Sequence, residues 1–182
     1  MYPQTYQALL LVDGYNIIGT WSSLKSTRDR HGLEMARKDL VEAMLNYVAF
    51  KGFQTQIVFD AHYQNRPGHQ ETVTSYLSVY YTDFCQTADT YIEKYCAGFN
   101  AHAAIPRLIV ATSDRAQQLT AIGYGAEWMS ALQLSHDVDR ASRRSRKKLK
   151  SNKKSQGRFL FNSLDPKAQQ KLSKLRLGSR SQ

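Results

Sequence analysis

Four aspartates occupy places where a metal-dependent nuclease would need them. They are Asp13 in LLLVDGYN, Asp60 in QIVFDAH, Asp89 in QTADTYIEK and Asp114 in LIVATSD. Each stands at or near the point where an apolar, strand-like run gives way to a turn or a helix. In open α/β sheets, ligands bind in the crevice beyond the carboxyl ends of the strands. Carboxylates that meet there from separate segments can hold a hard cation such as Mg²⁺, whose ligands are oxygens. Taken singly, each position has a plainer explanation. Asp13 and Asp60 can cap the turns that follow them, and Asp114 opens a helix, where a carboxylate is favoured by the dipole alone. Asp89 and Glu93, four apart, share a helix face. A bound cation would relieve their repulsion, and so would solvent. Recurrence is what favours the site: coincident capping would have to happen again and again on one side of one sheet.

Two further residues belong to this group. Gly14 lets the backbone turn sharply or approach a ligand closely. Asn16 can present an amide to the same spot, to orient a water or a phosphate. His31, His62, His69, His102 and His136 form no ligand-spaced cluster. His62, two residues from Asp60, is the one with a place for a mechanistic role.

The elements that must position these residues follow from the apolar pattern. Ala8–Asp13, Gln56–Asp60 and Arg107–Thr112 are short continuous apolar runs, the pattern of strands buried on both faces. Ser75–Tyr81 alternates and is rich in aromatic and β-branched residues, so it predicts a strand, and Glu127–Met129 predicts a brief one. Gly32–Lys51 has helical spacing, with Gly52 as its stop. Thr87 predicts the cap of a helix from Ala88 to about Phe99. Ser113 predicts the cap of a helix over Asp114–Ile122, and another helix starts near Ala131. His62–His69 is polar and contains Pro67-Gly68, a turn or loop signal. Strands alternating with helices imply a mostly parallel sheet flanked by helices.

Charge divides the chain. Residues 1–139 carry 10 Lys/Arg and 14 Asp/Glu, whereas 140–182 carry 15 Lys/Arg and a single acid, Asp165. We therefore expect a mildly acidic globular domain over residues 6–139 and a basic C-terminal extension over 140–182. Such asymmetry points to nucleic acid or another anionic surface. Arg140, Arg143, Arg144, Arg146, Lys147, Lys148, Lys150, Lys153, Lys154 and Arg158 can grip phosphates, which positions a nucleic acid without reading its sequence. The run continues the preceding helix or is disordered alone. Asp165-Pro166 then opens a short amphipathic helix over Lys167–Leu177. Arg66, in the polar loop, is a further candidate contact, and Tyr63, Tyr76 and Tyr80 could stack on bases or simply pack.

Cys85 and Cys96 suit neither a disulfide framework nor a zinc motif, and the expectation is two reduced thiols in or near the core. No apolar run reaches the roughly 20 residues needed to span a bilayer. MYPQTYQ lacks the cationic start of a signal peptide. The expectation is a soluble protein of a reducing cytoplasm.

LLVDGYNIIGTW, followed in order by QIVFDAH, QTADTYIEK and VATSDRAQQ, resembles the NYN domain family, and its YacP-like branch of endoribonucleases most. The resemblance runs from about Ala8 to Gly178 and includes LDPKAQQKLSKLRLG. It implies a PIN-like α/β fold and a metal-dependent endoribonuclease acting on single-stranded RNA or mRNA with Mg²⁺ or Mn²⁺. It places Asp13, Asn16, Asp89 and Asp114 on acidic-pocket positions, and Asp60 and Glu93 less decisively. Together with the basic run it makes docking on a translating ribosome an attractive expectation. One departure stands out. Many relatives carry a second acid directly after the Asp of the TAD motif, and here Thr90 follows. Glu93 could compensate.

Two rivals remain. One is an RNA- or ribosome-binding protein that does not cleave, which Thr90 would suit. The other is a small-molecule phosphohydrolase. An aspartyl-phosphate enzyme would want a second Asp two residues after Asp13, where Tyr15 stands, and a basic arm is wasted on a small substrate. Sequence leaves the oligomeric state open.

Overall fold

The computed structural model describes residues 6–60, 67–100 and 105–162, with side chains as far as Lys147. His62, Tyr63, Arg66, His102 and the helix expected over Lys167–Leu177 lie outside the described residues, as do the side chains of Lys148, Lys150, Lys153, Lys154 and Arg158. The chain divides into two units, Met1–Ser142 and Arg143–Gln182.

The first unit is built on a six-stranded sheet. In chain order its strands are β1 (Ala8–Asp13), β2 (Phe53–Phe59), β3 (His69–Thr72), β4 (Leu77–Tyr81), β5 (Leu108–Ala111) and β6 (Glu127–Met129). They lie in the order β3-β4-β2-β1-β5-β6. All neighbours are parallel except β3 against β4. β1, β5 and the end of β2 are continuous apolar runs because helices cover both of their faces. Side chains alternate along β1. Leu10 and Val12 enter one apolar cluster, and Leu9 and Leu11 enter the other.

The first cluster is covered by α1 (Gly14–Thr20), α2 (Ser22–His31), α3 (Leu33–Lys51) and the start of α6 (Ala131–Asn162). The second is covered by α4 (Ala88–Gly98) and α5 (Arg115–Gly123). In α3 the buried Ala36, Leu40, Met44, Tyr47 and Val48 recur at three and four, the stripe that seats a helix on a sheet. Gly52 ends it with φ +66°, a left-handed conformation that glycine adopts without steric cost. Ala131, Leu134, Val138 and Ala141 do the same for α6. Burying each large side chain of this kind contributes about 1.5–3 kcal/mol.

Three expectations are corrected. α5 is capped by Asp114 rather than Ser113: the Asp114 side chain accepts the Gln117 N–H. The polar stretch ending at His69 leads directly into β3, an exposed edge strand without the alternation of a half-buried one. Only one thiol is in the core, since Cys96 is buried and Cys85 is exposed. Cys85 also has φ 65°, uncommon for a residue with a Cβ. The basic run is helical through Asn162, continuous with α6. Among the described residues no helix is long and apolar enough to cross a membrane.

Candidate active site

The site follows from the strand order. The chain builds outward from β1 through β2 to β4, then returns across β1 to form β5 on the other side. At that reversal α1 leaves β1 toward one face and α5 leaves β5 toward the other. Helices that leave toward opposite faces mark a switch point at the carboxyl edge of the sheet, the position where open α/β sheets bind ligands.

Asp13 is the last residue of β1 and is 7% exposed. Its Oδ1 accepts the Asn16 N–H at 3.2 Å, capping α1. Asp114 does the same at the start of α5, accepting from Gln117 N at 2.9 Å. Asp60 follows β2, and its Oδ1 accepts the N–H of Ala88, the first residue of α4. Asp89 is the next residue of α4, and its Oδ1 accepts the Gln117 side-chain N–H at 2.6 Å. Capping and clustering are thus not alternatives. Three helix starts converge on one edge, and the carboxylates that cap or meet them converge too.

The electrostatics record that convergence. Burial pushes the Asp13 carboxyl up to about 6; the Asn16 N–H opposes this, and the carboxylates of Asp89, Asp60 and Asp114 add to it. Asp89 is also raised, first by partial burial, then by Asp114 and Asp60, against the lowering bond from Gln117. None of the four forms an ion pair among the described residues. Among the described residues, negative charge is therefore gathered here without an ion-pair partner to balance it.

Asn16 joins the two central turns. Its Oδ1 accepts the Ser113 N–H at 2.7 Å. With the carbonyl committed there, the amide NH₂ is the group left to serve a ligand, as a donor. Glu93 stands one turn further along α4, in a cleft of about 170 Å³ that Asp89, Gln117 and Thr120 also line. It is not among the carboxylates that raise Asp13. Thr90, at the departure from the family pattern, pairs its hydroxyl with that of the capping Thr87 at 2.9 Å.

Among the described residues the donor set is oxygen alone, which suits a hard cation and not a thiolate or imidazole metal. Among the described residues no three His, Cys, Asp or Glu side chains already stand close enough to hold one ion. That spacing is compatible with Mg²⁺, which keeps several waters and takes only one or two carboxylates directly.

On α6, Arg140, Arg143, Arg144, Arg146 and Lys147 carry the basic run, and of these Arg140, Arg143, Arg146 and Lys147 are exposed and Arg144 is half-buried or exposed as its neighbours allow. Tyr80 stacks on Tyr91 with centroids 4.3 Å apart, and Tyr76 meets Tyr6 edge-on at 5.7 Å, so both rings are engaged in packing. Gln117 was invisible to sequence reasoning. A glutamine has no spacing signature, and only the fold shows that it touches Asp89 and Asp114.

Residues 10–177 match the YacP-like NYN domain family. Among curated proteins, the uncharacterized protein YacP of Bacillus subtilis (strain 168) is 37% identical over 137 residues, covering 75% of this chain and 78% of that protein. The fold is similar to the crystal structure of Rae1 (YacP) from Bacillus subtilis, with a TM-score of 0.68 and 31% identity, covering 94% of this chain and 96% of that one. A W164L mutant of the same protein matches with a TM-score of 0.67 and 30% identity, covering 91% and 98%.

Proposed function

The chain belongs to the YacP-like NYN domain family, and we propose that it is a metal-dependent endoribonuclease hydrolysing phosphodiester bonds in single-stranded RNA. One observation carries this reading. Burial holds Asp13 at about 6 at the switch point of the sheet, the carboxylates of Asp89, Asp60 and Asp114 add to it, and none of the four has an ion-pair partner among the described residues. Charge gathered at a ligand-binding edge, and left without an ion pair among the described residues, supports a cation brought from outside.

Asp13, Asp89 and Asp114 would hold Mg²⁺ or Mn²⁺, one or two of them directly and the rest through metal-bound waters, with Asp60 and Glu93 as further contributors. Bound there, the metal would neutralise phosphate oxygens and make a water acidic enough to attack at neutral pH. The protein's own part is positional. Asn16, its carbonyl fixed by Ser113, donates from its amide to a phosphate oxygen or to the attacking water. Asp60, fixed on the Ala88 N–H, shapes the field in which Asp13 and Asp89 ionise.

An acidic pocket repels a polyanion, so the substrate needs a separate hold. The basic run from Arg140 through Arg146, Lys147, Lys148 and Lys150 provides one through the phosphates. Engagement of mRNA on the translating ribosome in the cytoplasm is part of this proposal. It fails if deleting residues 141–158 leaves co-sedimentation with ribosomes unchanged.

The decisive assay is cleavage of a mixed single-stranded RNA by pure protein with Mg²⁺, Mn²⁺ or EDTA, beside Asp13→Asn. Metal-dependent cutting that the variant loses is the expected result. The open spacing of the acids keeps a second reading in view, a non-cleaving RNA- or ribosome-binding protein. That reading expects no cutting under any metal and RNA binding that Asp13→Asn leaves intact.

A further inference from the structure

We infer that Gln117 is the positioning residue of the acidic edge, holding the Asp89 carboxylate by its side chain and the Asp114 carboxylate by its backbone. The inference rests on the preceding reading for what those carboxylates bind. Gln117 is the third residue of α5, and it touches acids on two helices. Its Nε2 donates to Asp89 Oδ1 at 2.6 Å, and its backbone N donates to Asp114 Oδ1 at 2.9 Å. A carboxylate on α4 and one at the cap of α5 are thereby referred to a single residue.

Stability alone does not account for a glutamine here. The residue is 6% exposed, and glutamine is seldom so buried. Its Oε1 is buried and accepts no hydrogen bond among the described residues. An unsatisfied buried amide oxygen is a penalty on folding and calls for an explanation. Ile92, Cys96 and Ala121 line the same cleft beside the polar Asp89, Glu93 and Thr120, so an apolar side chain of similar length has an apolar wall to pack against without that penalty. What only the amide supplies is the short bond to Asp89, of the strong kind made to an ionised acceptor. Hydrogen bonds that orient a ligating carboxylate are typically worth about 10- to 100-fold in metal affinity or activity.

The test compares full-length wild type with Gln117→Met, which keeps the length and removes both polar atoms, and with Gln117→Glu, which keeps the shape and replaces the donor with an acceptor. Mn²⁺ affinity is read by electron paramagnetic resonance, cleavage by kcat and KM, folding by the thermal midpoint, and the Asp89 carboxylate by crystallography of the metal-free proteins. For Gln117→Met we expect a midpoint equal to or above wild type, with Mn²⁺ affinity and kcat each lowered on the order of 10- to 100-fold. KM for RNA stays near wild type, because the basic run of α6 supplies most of the hold on the RNA phosphates. Gln117→Glu loses affinity and kcat as well. Wild-type Mn²⁺ affinity and cleavage in Gln117→Met would overturn the inference, and so would a lowered midpoint with unchanged Mn²⁺ affinity, the mark of a purely structural residue. Should wild type itself bind no Mn²⁺ and cut no RNA, the nuclease reading falls separately. The crystal structures then decide for Gln117: a displaced Asp89 carboxylate in the Met variant upholds the positioning role, and an unmoved one overturns it.

Discussion

Asn16 Oδ1 accepts the backbone N–H of Ser113 at 2.7 Å, joining two turns that lie 97 residues apart in sequence. The bond fixes which end of the amide faces the crevice. Asn16→Asp keeps an acceptor for Ser113 and removes the NH₂ donor, while adding a carboxylate beside Asp13 and Asp114. We expect the fold to persist and RNA cleavage to fall on the order of 10²-fold, as when a preorganised donor is removed. Asn16→Ala also loses the tether, with an additional stability loss of about 1 kcal/mol in urea unfolding. Full cleavage by Asn16→Asp would remove Asn16 from the machinery.

Asp13 makes stability depend on pH in a defined direction. Its folded-state pKa is raised from 3.8 to about 6, so folding favours the neutral acid. The associated stability is fully present below about pH 4 and is lost as pH rises through about 6. The shift corresponds to roughly 3 kcal/mol as an upper bound. In EDTA, Asp13→Asn should exceed wild type in stability at pH 8 by up to that amount and match it near pH 4, since Asn caps a helix as well as Asp does. Mg²⁺ should restore the wild type at pH 8 and leave the variant unchanged. Urea titrations at pH 4, 6 and 8 measure all of this, and a variant less stable at pH 8 would contradict the argument.

The parts of the fold legible in sequence are those whose burial writes a pattern. β1, β2 and β5 are covered on both faces and read as apolar runs, and α3 shows its stripe. α1 and α2 do not show themselves this way: α2 buries only Leu24, so its ten residues have almost no apolar periodicity. Among the described residues, β3 buries nothing and pairs only with β4. The site divides along the same line. Asp13, Asp60, Asp89 and Asp114 were legible because strand ends and helix starts are. The Asn16–Ser113 tether and the Gln117–Asp89 bond were not, because each joins segments that only the completed sheet brings together.

Gly14 explains itself through Phe59. A Cβ at position 14 would stand 2.2 Å from Phe59 Cε1, far inside contact distance. The ring cannot yield easily, since it lies against Tyr15 at 5.0 Å and Tyr81 at 5.8 Å between centroids. Gly14→Ala should therefore cost about 1–3 kcal/mol by overpacking. It should also weaken Mn²⁺ binding, because the displaced backbone carries Asp13. Adding Phe59→Leu to Gly14→Ala should return part of both losses. Thermal unfolding and Mn²⁺ titration of the two single variants and the double check this; strictly additive losses would show that no clash exists.

The division of labour between acidic edge and basic helix can be read from salt dependence. Arg143, Arg146 and Lys147 are exposed on α6 and belong to the second unit, whereas Asp13, Asp60, Asp89 and Asp114 belong to the first. If these cations hold phosphates, each contributes to the counterions released when single-stranded RNA binds. Replacing all three by Gln should reduce the slope of log affinity against log salt by about 2, at roughly 0.7 for each phosphate no longer neutralised. The weakening should be alike for RNAs of different sequence, because a grip on phosphates carries no base information. Cleavage at saturating RNA should stay near wild type, since the acids are untouched. Asp13→Asn should do the reverse, leaving the slope in EDTA unchanged or slightly steeper while abolishing turnover. Nitrocellulose filter binding across a salt series, run beside single-turnover cleavage, separates the two. A triple variant with an unaltered salt slope would place the RNA on some other surface.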